Sequence, residues 1–369
     1  LGIEVRYVRD NADVRPGISI CNYEILHALD PLQFAGVALD ESSIIKNYAG
    51  VRRDQLIAAF ASIPYRLCCT ATPAPNEWAE LGNHSEFLGV MNYGEMLPTF
   101  FTHDASDCEW YLKGWAEQAF WEWVCQWAAL VRRPSDLGYS DEGYLLPPID
   151  IRQHVIPATQ EEVRASGTLI ATAAKGLTAQ RKVKRDTLNT RVKMAADIAN
   201  SSTEQFIVWC ELNPESKQVA KLINGAIEVT GSDTPEEKAD RLLAFARGDI
   251  RVLVTKAKIA GMGMNFQSCH RQIDVGVSHS YEQFYQKIRR CHRFGQKHQV
   301  IVDIISSELE SDVVRSLISK QENAAAMADK MSSYTRAFVQ ANVKSVERTV
   351  TAYNPKKRIE WPSWLRSEQ

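Results

Sequence analysis

The chain has 369 residues, 45% hydrophobic and 24% charged, which is enough to bury two cores of ordinary size. A net charge of −2 excludes a globally basic coat, so any surface for nucleic-acid phosphates must be local. Cysteines stand at 21, 68, 69, 108, 125, 210, 269 and 291 with no C-x-x-C pair, which points to reduced thiols rather than zinc or a disulfide framework. The longest apolar run, Ala119 to Val131, is broken by Glu122 and Gln126 and is too short to span a bilayer; no signal peptide is present.

In the front half, short β-rich runs alternate with helical ones. Val5–Val8, Ile18–Cys21, Phe34–Leu39 and Arg66–Thr70 read as strands, and Asn22–Leu29 and Arg52–Phe60 as helices between them. Two of the strands are nearly all apolar, as in a parallel sheet buried on both faces. The alternation predicts a doubly wound α/β lobe, where chemistry sits at the carboxyl ends of strands. Two such ends carry reactive groups. Gly36-Val-Ala-Leu-Asp-Glu-Ser-Ser43 delivers Asp40 and Glu41 side by side. Successive strand side chains point oppositely, so the two carboxylates need a turn to share a site. One could then hold Mg²⁺ while the other orients or deprotonates a water. Leu67-Cys-Cys-Thr-Ala-Thr-Pro73 ends in small hydroxyl residues, and its prolines suit a rigid bend.

Residues 77 to about 148 hold Trp78, Trp110, Trp115, Trp121, Trp123 and Trp127. They read as a helical connector whose aromatics pack into a core or a lobe interface, with base stacking as the sharper alternative. Pro147 and Pro148 mark a domain boundary. Thr159 to Asn200 reads as mostly helical. Arg181 to Arg185, with Arg191 and Lys193, is its densest basic segment, either a solvated helix face or a phosphate contact. Strands are expected at Phe206–Cys210, Ile227–Thr230, Val252–Thr255, Gln272–Val277 and Val300–Ile305. Helices fall at Pro214–Ile223, Pro235–Arg247 and Tyr281–His292, the second opened by Thr234-Pro-Glu-Glu237. Thr255 to Phe266 comes after a strand; its Gly261 and Gly263 permit close backbone approach, and Asn265 offers an amide. A long helix runs from Glu308 to Met331, and an extended tail carries Trp361 and Trp364.

The segment Tyr281 to Gln296, YEQFYQKIRRCHRFGQ, organises the rest. Tyr281, Phe284, Tyr285 and Ile288 recur at helical spacing as one apolar stripe. Gln286, Arg290 and Arg293 fall on the opposite face, and Gly295 ends the helix. The polar face is either solvated or two guanidiniums offered to phosphate oxygens.

QxxxRxxRxGQ resembles the sixth motif of helicase superfamily two, in the form used by Swi/Snf-like ATPases. Asp40-Glu-Ser-Ser43 resembles its DEAH-type second motif, with Ser43 where His often stands. Thr70-Ala-Thr-Pro73 is similar to the third motif and Thr255 to Phe266 to the fifth, with Ala260 replacing one glycine. Asn22-Tyr23-Glu24 resembles a segment lying near nucleic acid. The run Ser280-Tyr-Glu-Gln-Phe-Tyr-Gln286 with its His-Arg-Phe-Gly-Gln ending is similar to phage and prophage helicases. The resemblance implies two RecA-like lobes, the first incomplete, joined by the Trp-rich connector. Residues 1–90 would be the later part of the first lobe, 91–150 the insertion and linker, 151–331 the second lobe and 332–369 a tail.

The family's first motif, G-x-x-x-x-G-K-[ST], has no match before Asp40, which implies an N-terminal truncation and little ATP hydrolysis by these residues alone. The resemblance further implies ATP and Mg²⁺ as cofactors. Asp40 would hold the Mg²⁺ and Glu41 the attacking water, with Arg290 and Arg293 on the γ-phosphate. Gln286, Gly261, Gly263, Asn265, Thr70, Ala71 and Thr72 would build the ATP site and its coupling, and Asn22, Tyr23 and Thr255 would meet nucleic acid. The activity expected is ATP-driven translocation along, or unwinding of, a nucleic acid, with double-stranded DNA preferred as the partner and RNA left open. The protein expected is a monomer, away from membranes, in the cytoplasm of a bacterial cell or phage-infected host. A non-catalytic DNA-binding or scaffold remnant is the competing expectation.

Overall fold

The structure is a computed structural model that describes residues 3–74, 76–104, 109–157, 185–261, 263–276, 278 and 280–344. It is an α/β protein. Strands β1 (Val5–Tyr7) and β2 (Ile18–Ile20) pair in parallel, as do β3 (Gly36–Asp40) and β4 (Tyr65–Cys69). Next comes an antiparallel hairpin, β5 (Phe101–Asp104) and β6 (Glu109–Leu112). Six further strands form one parallel sheet: β7 (Ile149–Ile156), β8 (Phe206–Trp209), β9 (Ala226–Glu228), β10 (Val252–Thr255), β11 (Arg271–Asp274) and β12 (Val300–Ser307). Their order across the sheet is β7-β12-β11-β8-β10-β9.

This back sheet is covered on both faces, and its strands show why. Every residue of β8 and of β10 is buried. Alternate side chains serve opposite cores, Ile207, Trp209 and Leu253 on one face and Phe206, Val208, Val252 and Val254 on the other. Each such side chain contributes about 1.5–3 kcal/mol by leaving water. The helix Tyr281–Cys291 sets Tyr281, Phe284 and Ile288 into the first of these cores, as its apolar spacing requires. The helix Pro235–Arg247 opens with the Thr234/Glu237 capping box and closes on Gly248.

The front half departs from the expected doubly covered sheet. Leu39, Leu56, Phe60, Ile63 and Phe87 form a core on one side. Val5, Ile18, Ile20, Tyr65 and Leu67, by contrast, are each half exposed or more. These strands occur only as two-stranded pairs among the described residues, and a two-stranded pair lacks the second cover that an apolar strand is built for. The segment Tyr23–Ala28 is 3₁₀ rather than α-helical.

The connector is not wholly helical either, because it contains the β5/β6 hairpin. Its tryptophans do pack. Trp121 is fully buried beside Phe120 and Val124, and Trp78 meets it edge-on at 5.5 Å. Trp115 alone of the six is largely exposed. The last helix, Ser311–Lys344, outruns its expected end and returns Met327 and Met331 to this cluster. Arg132 pairs with Asp329 at 2.6 Å, and Ser332 donates to Asp136 at 2.7 Å, fastening it there. The helix expected over residues 159–184, the basic run through Lys184 and the tail tryptophans lie outside the described residues.

Candidate functional site: a cleft between a strand tip and a helix

Strand β3 buries Leu39 and exposes Asp40 at its end. The turn that the paired carboxylates need is supplied by Glu41 itself, which sits in the left-handed region at φ 48°, the one such non-glycine among the described residues. That conformation costs roughly 1–2 kcal/mol for an L residue, and the packing of the next four residues holds it in place. Ser42–Ile45 form a 3₁₀ turn with Ser42, Ser43 and Ile45 buried. Ser42 Oγ lies 3.1 Å from His84 Nε2, and burial lowers the His84 pKa to about 4. Tyr23 donates its hydroxyl to the Asp40 carbonyl at 2.6 Å, and the Glu41 amide donates to Asp40 Oδ1 at 3.1 Å. Asn22, next to Tyr23, is exposed.

The opposite wall is the helix Tyr281–Cys291, capped by Ser280, which accepts from the Gln283 amide at 3.3 Å. Gln286 Nε2 reaches across and donates to Glu41 Oε1 at 2.9 Å. Arg290, 7% exposed, donates to Gln286 Oε1 and, at 3.2 Å, to the Met264 carbonyl. The polar face of this helix is therefore not a solvated one. Arg293 lies past the helix end, so helical geometry does not place it. It is exposed and donates to the same Met264 carbonyl at 3.1 Å. Gly295, at φ 93°, belongs to the turn beyond rather than to the helix terminus.

Met264 belongs to the loop after β10. A Cβ on Gly261 would stand 2.2 Å from the Ala257 carbonyl, and Gly263 has φ 74°, so both glycines are needed for the loop to reach the arginines. Asn265 is exposed, and its Oδ1 accepts from the Gln267 amide at 3.3 Å. Thr255 is placed differently from expectation. It is fully buried, and its hydroxyl donates to the Val229 carbonyl at 3.1 Å, so it presents nothing to a strand of nucleic acid in this conformation.

Thr70 Oγ1 accepts from the Thr72 amide at 3.1 Å. Thr70, Ala71 and Thr72 line a cavity of about 570 Å³ between the lobes, walled opposite by Tyr281, Phe284 and Tyr285. The cleft thus brings together Asp40, Glu41, Gln286 and Arg290, with Arg293 beside Arg290, while the 70–72 stretch faces the apolar side of the same helix.

Glu41 carries the electrostatic signature of the site. Desolvation, and then the Asp40 charge, raise its pKa; the Gln286 hydrogen bond and Arg290 oppose this. Its Oε2 is buried without a partner. A carboxylate whose folded pKa is raised favours the fold at acid pH and loses that contribution as pH rises through the raised value. Glu41→Gln keeps an acceptor for Gln286 and removes the charge. The variant is expected to melt higher than the native protein at pH 7–8, with the difference vanishing below about pH 4, near the ordinary glutamate value. Thermal melts across that range check it. Equal melting temperatures at pH 8 would show that Glu41 carries no strain of charge.

Two residues of the cleft and its support escape sequence reasoning. Glu282, in the first turn of the helix, accepts from Ser43 and from Lys46 of the opposite lobe. No local spacing signals a pair 236 residues apart. Arg191, placed by its neighbours in a basic segment, is fully buried and faces Glu215 at 2.8 Å. Among the described residues no three His, Cys, Asp or Glu gather as a metal cluster, and no helix is long and apolar enough to cross a membrane.

Comparison with known proteins places the back lobe. A 126-residue stretch is 25% identical to an ATP-dependent RNA helicase, SUB2, of Kluyveromyces lactis, covering 33% of this chain and 28% of that protein. The chain therefore spans little more than a quarter of the curated relative it matches. Its structure overlaps that of the C-terminal part of the Fun30 ATPase domain with a TM-score of 0.37 and 10% identity, over 55% of this chain and 99% of that one. The family model for the helicase conserved C-terminal domain matches residues 188–295. That span takes in β8 to β11, the Gly261/Gly263 loop and the helix bearing Gln286 and Arg290, so the second wall of the cleft lies within the segment that is similar to the helicase conserved C-terminal domain.

Proposed function

We propose that this protein is part of a Swi/Snf-like, ATP-driven motor of helicase superfamily two that moves along double-stranded DNA. The observation that carries the reading is the Gln286–Glu41 hydrogen bond across the cleft, with Arg290 directly behind it. A strained, desolvated carboxylate facing an amide and a guanidinium from a second lobe suits hydrolysis of a phosphoanhydride.

The residues at the strand tip fit Mg²⁺ and ATP. Asp40 is exposed and carboxylic, and Glu41 has an oxygen without a partner. Magnesium needs only one or two protein carboxylates when phosphates and waters complete its shell. Asp40 would hold the ion, which neutralises phosphate charge when bound. Glu41, freed from Gln286, would orient a water and accept its proton. Arg290 and Arg293 would set positive charge where negative charge builds on the phosphoryl oxygens, and Gln286 would hydrogen-bond beside them. The loop of Gly261, Gly263 and Asn265 would fix the arginines, and the 70–72 stretch would pass closure on to the nucleic acid. Contacts to DNA would be mostly to phosphates, giving weak sequence preference and steep salt dependence.

The competing reading is a non-hydrolysing DNA-binding scaffold. Steady-state ATP hydrolysis by the natural full chain, with duplex DNA, single-stranded DNA and RNA in turn, separates the two. Stimulation by duplex DNA that falls as salt rises is expected. Duplex binding without any ATP turnover would favour the scaffold, and stimulation by RNA alone would replace the DNA assignment.

A further inference from the structure

We propose that Glu282 is a cross-cleft positioning residue: it grips Ser43 and Lys46 of the opposite lobe and so sets the closed geometry in which Glu41 meets Gln286. The proposal rests on the reading of the cleft as an ATP site for its purpose, though not for its geometry.

Each carboxylate oxygen of Glu282 takes one donor from the front lobe, Oε1 the Ser43 hydroxyl and Oε2 the Lys46 ammonium. Both donors belong to the segment immediately after Glu41. Glu282 and Gln286 are four residues apart on one helix, about 6 Å along its axis, and lie on the same edge. The segment from Asp40 to Lys46 is therefore held at two points. One contact would fix only a distance; two fix the orientation of the strand tip against the helix.

Both ends of the grip are rigid. The Lys46 carbonyl accepts from Asn83 at 2.7 Å, and Asn83, fully buried, is bonded to Arg53 at 2.8 Å. On the other side, Tyr281 and Phe284 flank Glu282 and are buried in the back-lobe core. The Lys46 and Glu282 side chains are 29% and 19% exposed, so their attraction is only partly screened. Charge makes the pairing necessary as well as favourable. Glu282 also acts on Glu41, raising its pKa, and without Lys46 it would repel the carboxylate it helps to position.

The test measures lobe separation directly, by distances between spin labels on cysteines placed at exposed Leu32 and Leu243, after Cys108 and the exposed Cys21 and Cys69 are changed to serine. The native pair should give one narrow distribution. Glu282→Ala and Lys46→Met should each cut the closed population about tenfold relative to open, the effect of unpairing a partly buried charge. The exchange Lys46→Glu with Glu282→Lys should restore it. An unchanged distribution in Glu282→Ala, or single variants that open without recovery in the exchange, would overturn the proposal. ATP hydrolysis by the same variants supplies the functional readout, a KM for ATP raised about tenfold in the singles and recovered in the exchange. If the native protein hydrolyses no ATP, the functional reading falls while the distances still decide this one.

Discussion

Arg191→Met is expected to destabilise the back lobe by about 3–5 kcal/mol, the cost of leaving one member of a buried ion pair without its partner. Arg191 and Glu215 are both fully buried, with Nη1 and Oε1 2.8 Å apart. Glu215 Oε2 also accepts from the Glu211 and Leu212 amides at 2.9 Å, and Arg191 Nε donates to Thr187 at 3.0 Å. The pair thus ties the helix Leu188–Asn200 to the start of the helix Asn213–Leu222. Gly276 belongs to the same arrangement, since a Cβ there would lie 2.4 Å from Arg191 Nη1. Urea unfolding measures the loss. Replacing both partners by leucine should cost less than removing Arg191 alone, because no charge is then stranded. A single variant within about 1 kcal/mol of the native protein would show that water reaches the pair.

The second large effect is on turnover. If the cleft is the ATP site of a duplex-DNA motor, as proposed, Arg290→Ala should lower DNA-stimulated ATP hydrolysis roughly a thousandfold while leaving duplex binding nearly unchanged. Besides its own helix's Gln286 carbonyl, the guanidinium holds two acceptors at once, Gln286 Oε1 and the Met264 carbonyl. Desolvation, and then the neighbouring Arg293, lower its pKa, so its charge is poorly solvated in the cleft. Lysine cannot span both acceptors, so Arg290→Lys should recover little. Arg293→Ala should cost less, because that side chain is exposed and makes one of these contacts. Turnover by Arg290→Ala within about tenfold of the native rate, a loss too small for a charge-stabilising arginine, would remove Arg290 from the catalytic set.

Much of the fold is legible locally. The stripe of Tyr281, Phe284 and Ile288, the apolar runs at Phe206–Trp209 and Val252–Thr255, and the Thr234/Glu237 box each declare themselves within about a dozen residues. The illegible elements are those whose local signal is weak. Ile149–Ile156 comes after two prolines and mixes charge with apolar residues, so strand β7 gives no clear pattern. The hairpin β5/β6 is submerged in a Trp-rich stretch that reads as helix.

Residue order within single elements is enough to say that an apolar helix carries Gln286 and Arg290, and that a strand ends in Asp40 and Glu41. It took the assembled fold to show that these ends face each other, that Glu282 binds Ser43 and Lys46, and that Thr255 and Arg191 are buried. The division is physical. Periodicity reports which side of an element avoids water, and it is complete within one element. Whether a charged or hydroxyl group ends in solvent, in a core or in a cleft depends on the partner across from it. That partner is supplied by chain closure over hundreds of residues, where spacing in the sequence carries no information.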